Sequence, residues 1–265
     1  MASAAIDLRP TIDRAWLETA AAADPIAHAL ALWDLDRYPD RVRFVSALKD
    51  ERTVGYLLLW LGHPTTPVVH WFGTTEDARA LAEGLPPRPM VAVVPEEMRP
   101  EVERARGPVT SHVLLRLVAD PERPPGEESG RSDVRRLVRT DLPELLRLTS
   151  GRGEMVASEY PLLDPDQEAV WGCFEDGQLR GVARAVVRLP TVWLLGGVYV
   201  DPADRGRGLG VAVVRAALAA GMQEGAMVGL YVREDRPAAR AVYEHAGFRP
   251  EGRRIWVDAG ADLDP

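Results

Sequence analysis

The sequence predicts an α/β protein made of two similar domains in tandem, and three observations predict it. A hydrophobic share of 46% over 265 residues is that of a globular chain long enough for two cores. A stretch rich in proline, glycine and charge, Ala119–Ser132 (ADPERPPGEESGRS), interrupts the apolar pattern near the middle and reads as a linker. On both sides of it, short apolar runs alternate with helical patterns in the same order, as a diverged internal duplication would give. The expected domains are residues 1–120, a linker at 121–131, and residues 132–265.

After the linker, Val134–Val138 (VRRLV) reads as a short strand. Asp141 is placed to cap a helix that has Pro143 early and Glu144 three residues after the cap. Gly151–Gln167 looks irregular, and Glu168–Arg188 reads as two strands around an Asp176-Gly177 hairpin turn. Trp193–Val200 (WLLGGVYV) is a buried strand. Gly208–Glu224 is a helix with Val211, Val214, Leu218 and Met222 on one stripe. Met227–Val232 is a further strand. Pro237–Ala246 is an amphipathic helix stopped by Gly247, and Arg253–Val257 closes the domain as a strand.

Before the linker, Val42–Gly62 predicts two strands around a polar turn, and Val68–Gly73 (VVHWFG) a third. A helix at Thr75–Leu85 and a strand at Met90–Val94 follow. Then come a helix at Glu96–Gly107, interrupted by Pro100, and a strand at His112–Val118.

Composition excludes several classes of function. A net charge of −8 argues against a nucleic-acid surface. A single cysteine, Cys173, rules out an intrachain disulfide, and no signal-like start is present, so a cytoplasmic location is expected. The longest apolar runs, such as Tyr56–Leu61, are too short to span a bilayer, so no membrane partner is expected. Five scattered histidines offer no metal-binding spacing, and no metal is expected.

The chemistry concentrates in Arg205-Gly206-Arg207-Gly208-Leu209-Gly210, between a strand and a helix. Three glycines uncover backbone N–H groups and allow a ligand to approach closely. The start of a helix adds unpaired donors and the positive end of its dipole, and two arginines add formal charge, which together suit a diphosphate. The glycine spacing does not fit a dinucleotide fingerprint, since Val211 and Val213 stand where the last glycine would be, and no Walker lysine follows.

The flanks narrow the reading. The strand, Val198-Tyr199-Val200-Asp201-Pro202, the Arg-x-x-Gly-x-Gly turn and the apolar helix resemble the coenzyme A motif of the GNAT acyltransferase superfamily. Gly229–Phe248 (GLYVREDRPAARAVYEHAGF) is similar to a second motif of that family. The resemblance covers Ser132–Val257 and implies a GNAT fold, a mixed, mostly antiparallel sheet flanked by helices, in each of the two domains. The N-terminal domain would be a degenerate copy without the turn, shaping the acceptor site, and one coenzyme A per chain would follow.

The resemblance implies acetyl-CoA as acyl donor, with pantetheine adding to the strand edge at Val198, Tyr199 and Val200. A bulge at Gly196-Gly197 would open that edge. The diphosphate would rest on Arg205, Gly206, Arg207, Gly208, Leu209 and Gly210, with Arg236 and Ala239 also on the cofactor side. Tyr243 matches the family tyrosine that protonates the departing thiolate. Helical periodicity puts Ala238, Ala241, Val242 and His245 on the buried face, with Tyr243 at its edge beside Ala239 and Ala246. Arg236 departs from the asparagine common before the proline, so about 0.5–2 kcal/mol of helix capping is missing.

Many relatives carry a glutamate base on the equivalent strand, and Val192–Val200 has no carboxylate. The segment after the first helix holds Glu154, Glu159, Asp164, Asp166 and Glu168 without a basic residue between Gly153 and Val170. An acidic rim there would attract a cationic amine, with Glu154 and Glu159 on the substrate side and Glu159 the preferred base. The expected activity is transfer of acetyl from acetyl-CoA to the primary amine of a small molecule by direct attack, in a monomer or homodimer. Two alternatives stand beside it: a longer acyl or aminoacyl donor, and a non-catalytic acyl-CoA sensor or docking module.

Overall fold

The structure, a computed structural model, describes residues 6–63, 65–123, 133–150 and 169–261. It divides into two compact units, Met1–Arg116 with Arg233–Asp235 and Gly252–Pro265, and Leu117–Val232 with Arg236–Glu251. This division follows the chain less simply than a linker at 121–131 would. It begins the second unit within a strand and assigns the C-terminal segment to the first.

In the first unit the chain forms β1 (Asp7–Arg9), α1 (Arg14–Ala23), α2 (Pro25–Arg37), β2 (Val42–Lys49) and β3 (Arg52–Trp60). It continues as β4 (Val68–Phe72), α3 (Ala78–Glu83), β5 (Met90–Val94), α4 (Arg99–Arg106) and β6 (Thr110–Ala119), the last running on into the second unit. The two N-terminal helices have no counterpart in the sequence reading, yet each begins on an aspartate. Asp13 accepts hydrogen bonds from the N–H groups of Ala15 and Trp16. Asp24 accepts from Ala27 N–H, with Pro25 at the first helical position. Pro100 does not interrupt a helix: it lies in the first turn of α4, where no intrahelical N–H is needed.

Strands β1 to β4 pair antiparallel in sequence order, and β4 pairs parallel with β5. The other neighbour of β5 is the last strand of the chain, β12 (Phe248–Ala259), through the antiparallel register Ile255↔Val94 to Ala259↔Met90. Ile255, Val257 and Ala259 are buried in the same cluster as Leu57, Trp71, Leu81, Met90 and Met98. Beneath the helices, Tyr56 and Phe44 form a second cluster with Leu17, Ala31, Val42 and Leu58.

The second unit has a similar element order, with one described helix where the first has α1 and α2. It contains β7 (Val134–Arg136), α5 (Leu142–Thr149), β8 (Ala169–Glu175), β9 (Gln178–Arg188) and β10 (Val192–Val200). Then follow α6 (Leu209–Gln223), β11 (Met227–Arg233) and α7 (Pro237–Ala246). Strands β7 to β10 are antiparallel, and β10 pairs parallel with β11. The β8–β9 hairpin turns at Asp176 and Gly177, with φ of 50° and 75°, as the sequence predicts.

Three local expectations change. Strand β7 stops at Arg136, two residues early. Asp141 does not cap α5 through its side chain, because its carboxylate accepts from Val138 N–H and pairs with Arg135. On α6 the buried face is Leu209, Gly210, Ala212, Val213, Val214, Ala217, Leu218 and Gly221, while Val211 and Met222 are half-buried. That face is rotated from the expected stripe because small residues let the helix lie close to the strands. A Cβ on Gly221 would come within 2.7 Å of Val228. Among the described residues, no helix is long and apolar enough to cross a membrane.

Two predictions follow from this architecture. An N-terminal fragment ending at the linker lacks Ile255, Val257 and Ala259. Each large apolar side chain of this kind contributes about 1.5–3 kcal/mol when buried. The fragment should therefore show a non-cooperative or strongly lowered melting transition, and a native-like melt would refute the role of β12. The second concerns Asp34, whose burial on α2 pushes its carboxyl up to about 7. Its folded pKa lies above the unfolded value, so the folded state holds more protons between about pH 4 and 7 and loses stability as pH rises through that window. Asp34→Asn should stabilise the fold by about 1–3 kcal/mol at pH 8 and by nothing at pH 4, as read by denaturant titration at the two pH values.

Candidate functional site

The site begins with a fault in β10. Its ladder with β9 runs in register from Trp193↔Arg188 to Leu194↔Val187, resumes shifted at Leu195↔Ala185 and Gly196↔Arg184, and shifts again before Tyr199↔Val182. At the second shift β10 has two residues, Gly197 and Val198, opposite one on β9. Gly197 has φ of 58°, which an L side chain rarely adopts. The bulge therefore sits where the Gly-Gly pair predicts it.

The parallel ladder of β10 with β11 covers Val192↔Met227 to Leu195↔Leu230. It ends there, although β10 continues to Val200 and β11 to Arg233. Val198 and Val200 thus lie on the stretch beyond the ladder, both half-buried.

From Val200 the chain enters a 3-10 turn at Pro202–Asp204. Asp201 starts it, accepting from Ala203 N–H, and Asp201 N–H donates to Arg180 C=O on β9. Gly206 and Gly208 follow with φ of 77° and 80°, and a Cβ on either would have nothing within 4 Å. Gly208 is the N-cap of α6, and the first intrahelical bond is Ala212 N–H to Gly208 C=O at 3.1 Å. The N–H groups of Leu209, Gly210 and Val211 precede that bond, at the positive end of a 15-residue helix. Backbone geometry of this kind is suited to an anion.

The two arginines of the turn differ. Arg205 is exposed, its Nε donates to Val200 C=O at 3.3 Å, and among the described residues it makes no ion pair. Arg207 pairs with Asp204 at 2.5 Å and with Glu175 at 2.7 Å, and these carboxylates hold its guanidinium above its ordinary pKa.

Helix α7 packs on the first turn of α6: a Cβ on Gly210 would lie 3.5 Å from Val242. Tyr243 is not at the edge of the buried face. It and Ala246 are the buried residues of α7, whereas Ala238 and His245 are exposed and Ala241 and Val242 half-buried. The periodicity reading missed this because the face is set by Phe248, whose ring meets Tyr243 edge-on at 6.2 Å. Ala239 is half-buried. Arg236 is exposed at the N-cap and provides no side-chain cap, as the missing asparagine predicts. Glu154 and Glu159, with the rest of the acidic segment 154–168, lie outside the described residues. Among the described residues, no group of three or more His, Cys, Asp or Glu side chains could hold a metal ion.

The equivalent place in the first unit is built differently. The β3–β4 ladder runs from Tyr56↔Phe72 to Trp60↔Val68 without a shift. The connection after β4 carries Glu76 and Asp77, with Thr74 donating to Asp77 and Glu76 paired with Lys49. The helix that follows has six residues.

Comparison with known proteins agrees with this geometry. Residues 136–248 match the profile of the acetyltransferase (GNAT) family. A mycothiol acetyltransferase of Nocardia farcinica is 43% identical over 81 residues, 31% of this chain and 25% of that protein. A mycothiol acetyltransferase of Beutenbergia cavernae is 37% identical over 89 residues, 32% of this chain and 30% of that protein. The matched stretch thus spans less than a third of either relative.

Among solved structures, a GCN5-related N-acetyltransferase from Sphaerobacter thermophilus superposes with a TM-score of 0.64 at 14% identity, covering 98% of each chain. A tandem GNAT protein from the clavulanic acid biosynthesis pathway superposes with a TM-score of 0.62 at 18% identity, covering 98% of this chain and 100% of its own. Residues 136–248 thus carry the match to the acetyltransferase (GNAT) family, and the fold of the chain is shared with GNAT structures, one of them a tandem GNAT protein.

Proposed function

We propose that the protein is an acetyl-CoA-dependent N-acetyltransferase that acetylates the primary amine of a small molecule by direct attack on the thioester. One observation carries the reading: a bare glycine turn at a helix N-terminus follows directly on a strand whose parallel ladder has just ended. The backbone of Val198, Tyr199 and Val200 would pair with the pantetheine arm as an added strand does. The N–H groups from Arg205 to Gly210 would take the diphosphate, with Arg205 supplying formal charge and with Arg236 and Ala239 flanking the cofactor. The named activity of the two curated relatives favours acetyl over a longer acyl group.

Tyr243, next to the residue that packs on Gly210, is the proposed acid for the thiolate. The amine must be neutral to attack, and an amine of pKa near 10.4 costs about 4–5 kcal/mol to deprotonate at pH 7. Strand β10 has no carboxylate for this task, so Glu159 of the acidic segment is the proposed base, with Glu154 beside it on the acceptor side. That acidic segment also favours a cationic acceptor.

An acceptor screen with thiol-release detection tests the activity: CoA should appear from acetyl-CoA only with amines. Binding of acetyl-CoA without turnover across the panel would favour the sensor reading instead. Tyr243→Phe should lower turnover by roughly 10²–10⁴-fold with acetyl-CoA affinity nearly intact, and equal turnover in the two proteins would remove Tyr243 from the chemistry. Calorimetry should give one CoA per chain, since the connection after β4 is acidic where the one after β10 is bare. Two equivalent sites would contradict this.

A further inference from the structure

We infer that the Arg207 side chain is a positioning group that holds the diphosphate turn in its binding conformation, leaving Arg205 as the turn's cation for phosphate. The inference rests on the diphosphate reading of the turn. Arg207 Nη1 donates to Asp204 Oδ1 at 2.5 Å, and Nη2 reaches Glu175 Oε2 at 2.7 Å. Asp204 is buried, and its second oxygen lies 3.4 Å from Arg180 Nη1 on β9. Glu175 is the last residue of β8. The guanidinium fork therefore ties the tip of the turn to the 3-10 turn before it and to the sheet.

The tie falls where the backbone has most freedom. Arg207 stands between Gly206 and Gly208, both in the left-handed region with open space around them. Glycine at such positions has more conformations to lose than any other residue. Among the described residues, the contacts of Arg207 are the side-chain ties that link residues 206–208 to the sheet. Drawing the guanidinium towards a phosphate would strip buried Asp204 of its closest cation and leave two carboxylates near an incoming dianion. The Arg207 end of the pair is exposed, but the Asp204 carboxylate is not, and a buried carboxylate left without its closest cation is unfavourable. Arg205, two residues earlier, has an exposed guanidinium and no carboxylate to leave among the described residues.

The test is calorimetry of CoA and of pantetheine, which lacks the diphosphate, with the wild-type chain, Arg207→Gln, Glu175→Gln, the double variant and Arg207→Lys. If Arg207 positions the turn, each single glutamine variant should weaken CoA by about tenfold, the scale of ordering one backbone residue on binding. The double variant should be no weaker than either single one, Arg207→Lys should recover part of the loss, and pantetheine affinity should not move. CoA binding to Glu175→Gln as tight as or tighter than wild type would overturn the inference, because it would mean that Arg207 serves phosphate once released. Losses that multiply in the double variant would overturn it too, and so would pantetheine weakened in step with CoA. A wild-type chain that binds no CoA would refute the diphosphate reading and this inference together. A wild-type chain that binds it while the variants break the pattern would refute only the role of Arg207.

Discussion

The second unit depends on one register fault. At Gly197–Val198 strand β10 spends two residues against one of β9, and five residues of β10 extend beyond its last pair with β11. A parallel pair held to its full length would bond its backbone groups internally and offer nothing to an extended ligand. The bulge redirects the strand, and the left-handed glycine in it makes the redirection cheap. The end of β10 delivers the chain into the 3-10 turn, which sets the glycines at the mouth of α6. The same fold without the fault is present in the first unit. There β3 and β4 stay in register, Phe72 stacks on Tyr56 at 4.7 Å, and the Arg254 guanidinium lies over Phe72.

The turn is less cationic than its sequence suggests. Around it stand Arg180, Arg205 and Arg207, but also Glu175, Asp201 and Asp204, and the formal charges of these six cancel. On the proposed reading, attraction for a diphosphate would come mainly from oriented N–H groups and the helix dipole. Carboxylates in such a place have a structural use. They hold the arginine that sits between two glycines, and a cradle ordered in advance loses less freedom on binding.

Much of this was legible in the sequence because the informative residues act locally. Asp176-Gly177, Gly208, Pro237 and Gly247 each mark a turn or a helix boundary through their own backbone preferences, and each lies where the sequence places it. The bulge was legible for the same reason. What failed depends on neighbours distant in sequence. The buried face of α7 is set by contact with Phe248 and α6, so a bare periodicity placed Tyr243 at an edge when it is buried. Helices α1 and α2 were missed although Asp13 and Asp24 mark their starts, because alanine-rich stretches give a weak periodic signal. The pairing of Arg207 with Glu175 spans 32 positions and leaves no trace in a local motif, so the two arginines of the turn looked alike.

That last difference has a general consequence for reading such motifs. A motif names residue types around a ligand, and it is natural to assign every charged member to the ligand. The geometry here divides them by what each would abandon. Arg205 gives up one hydrogen bond to a carbonyl, whereas Arg207 gives up two carboxylates, one of them on a buried residue. Exposed ion pairs are worth little singly, but a fork that also fixes a flexible backbone acts on the conformational freedom of the turn as well as on charge. On the proposed reading, the arginine that would bind and the arginine that would brace stand two residues apart in one motif, and only the second is paired with Glu175.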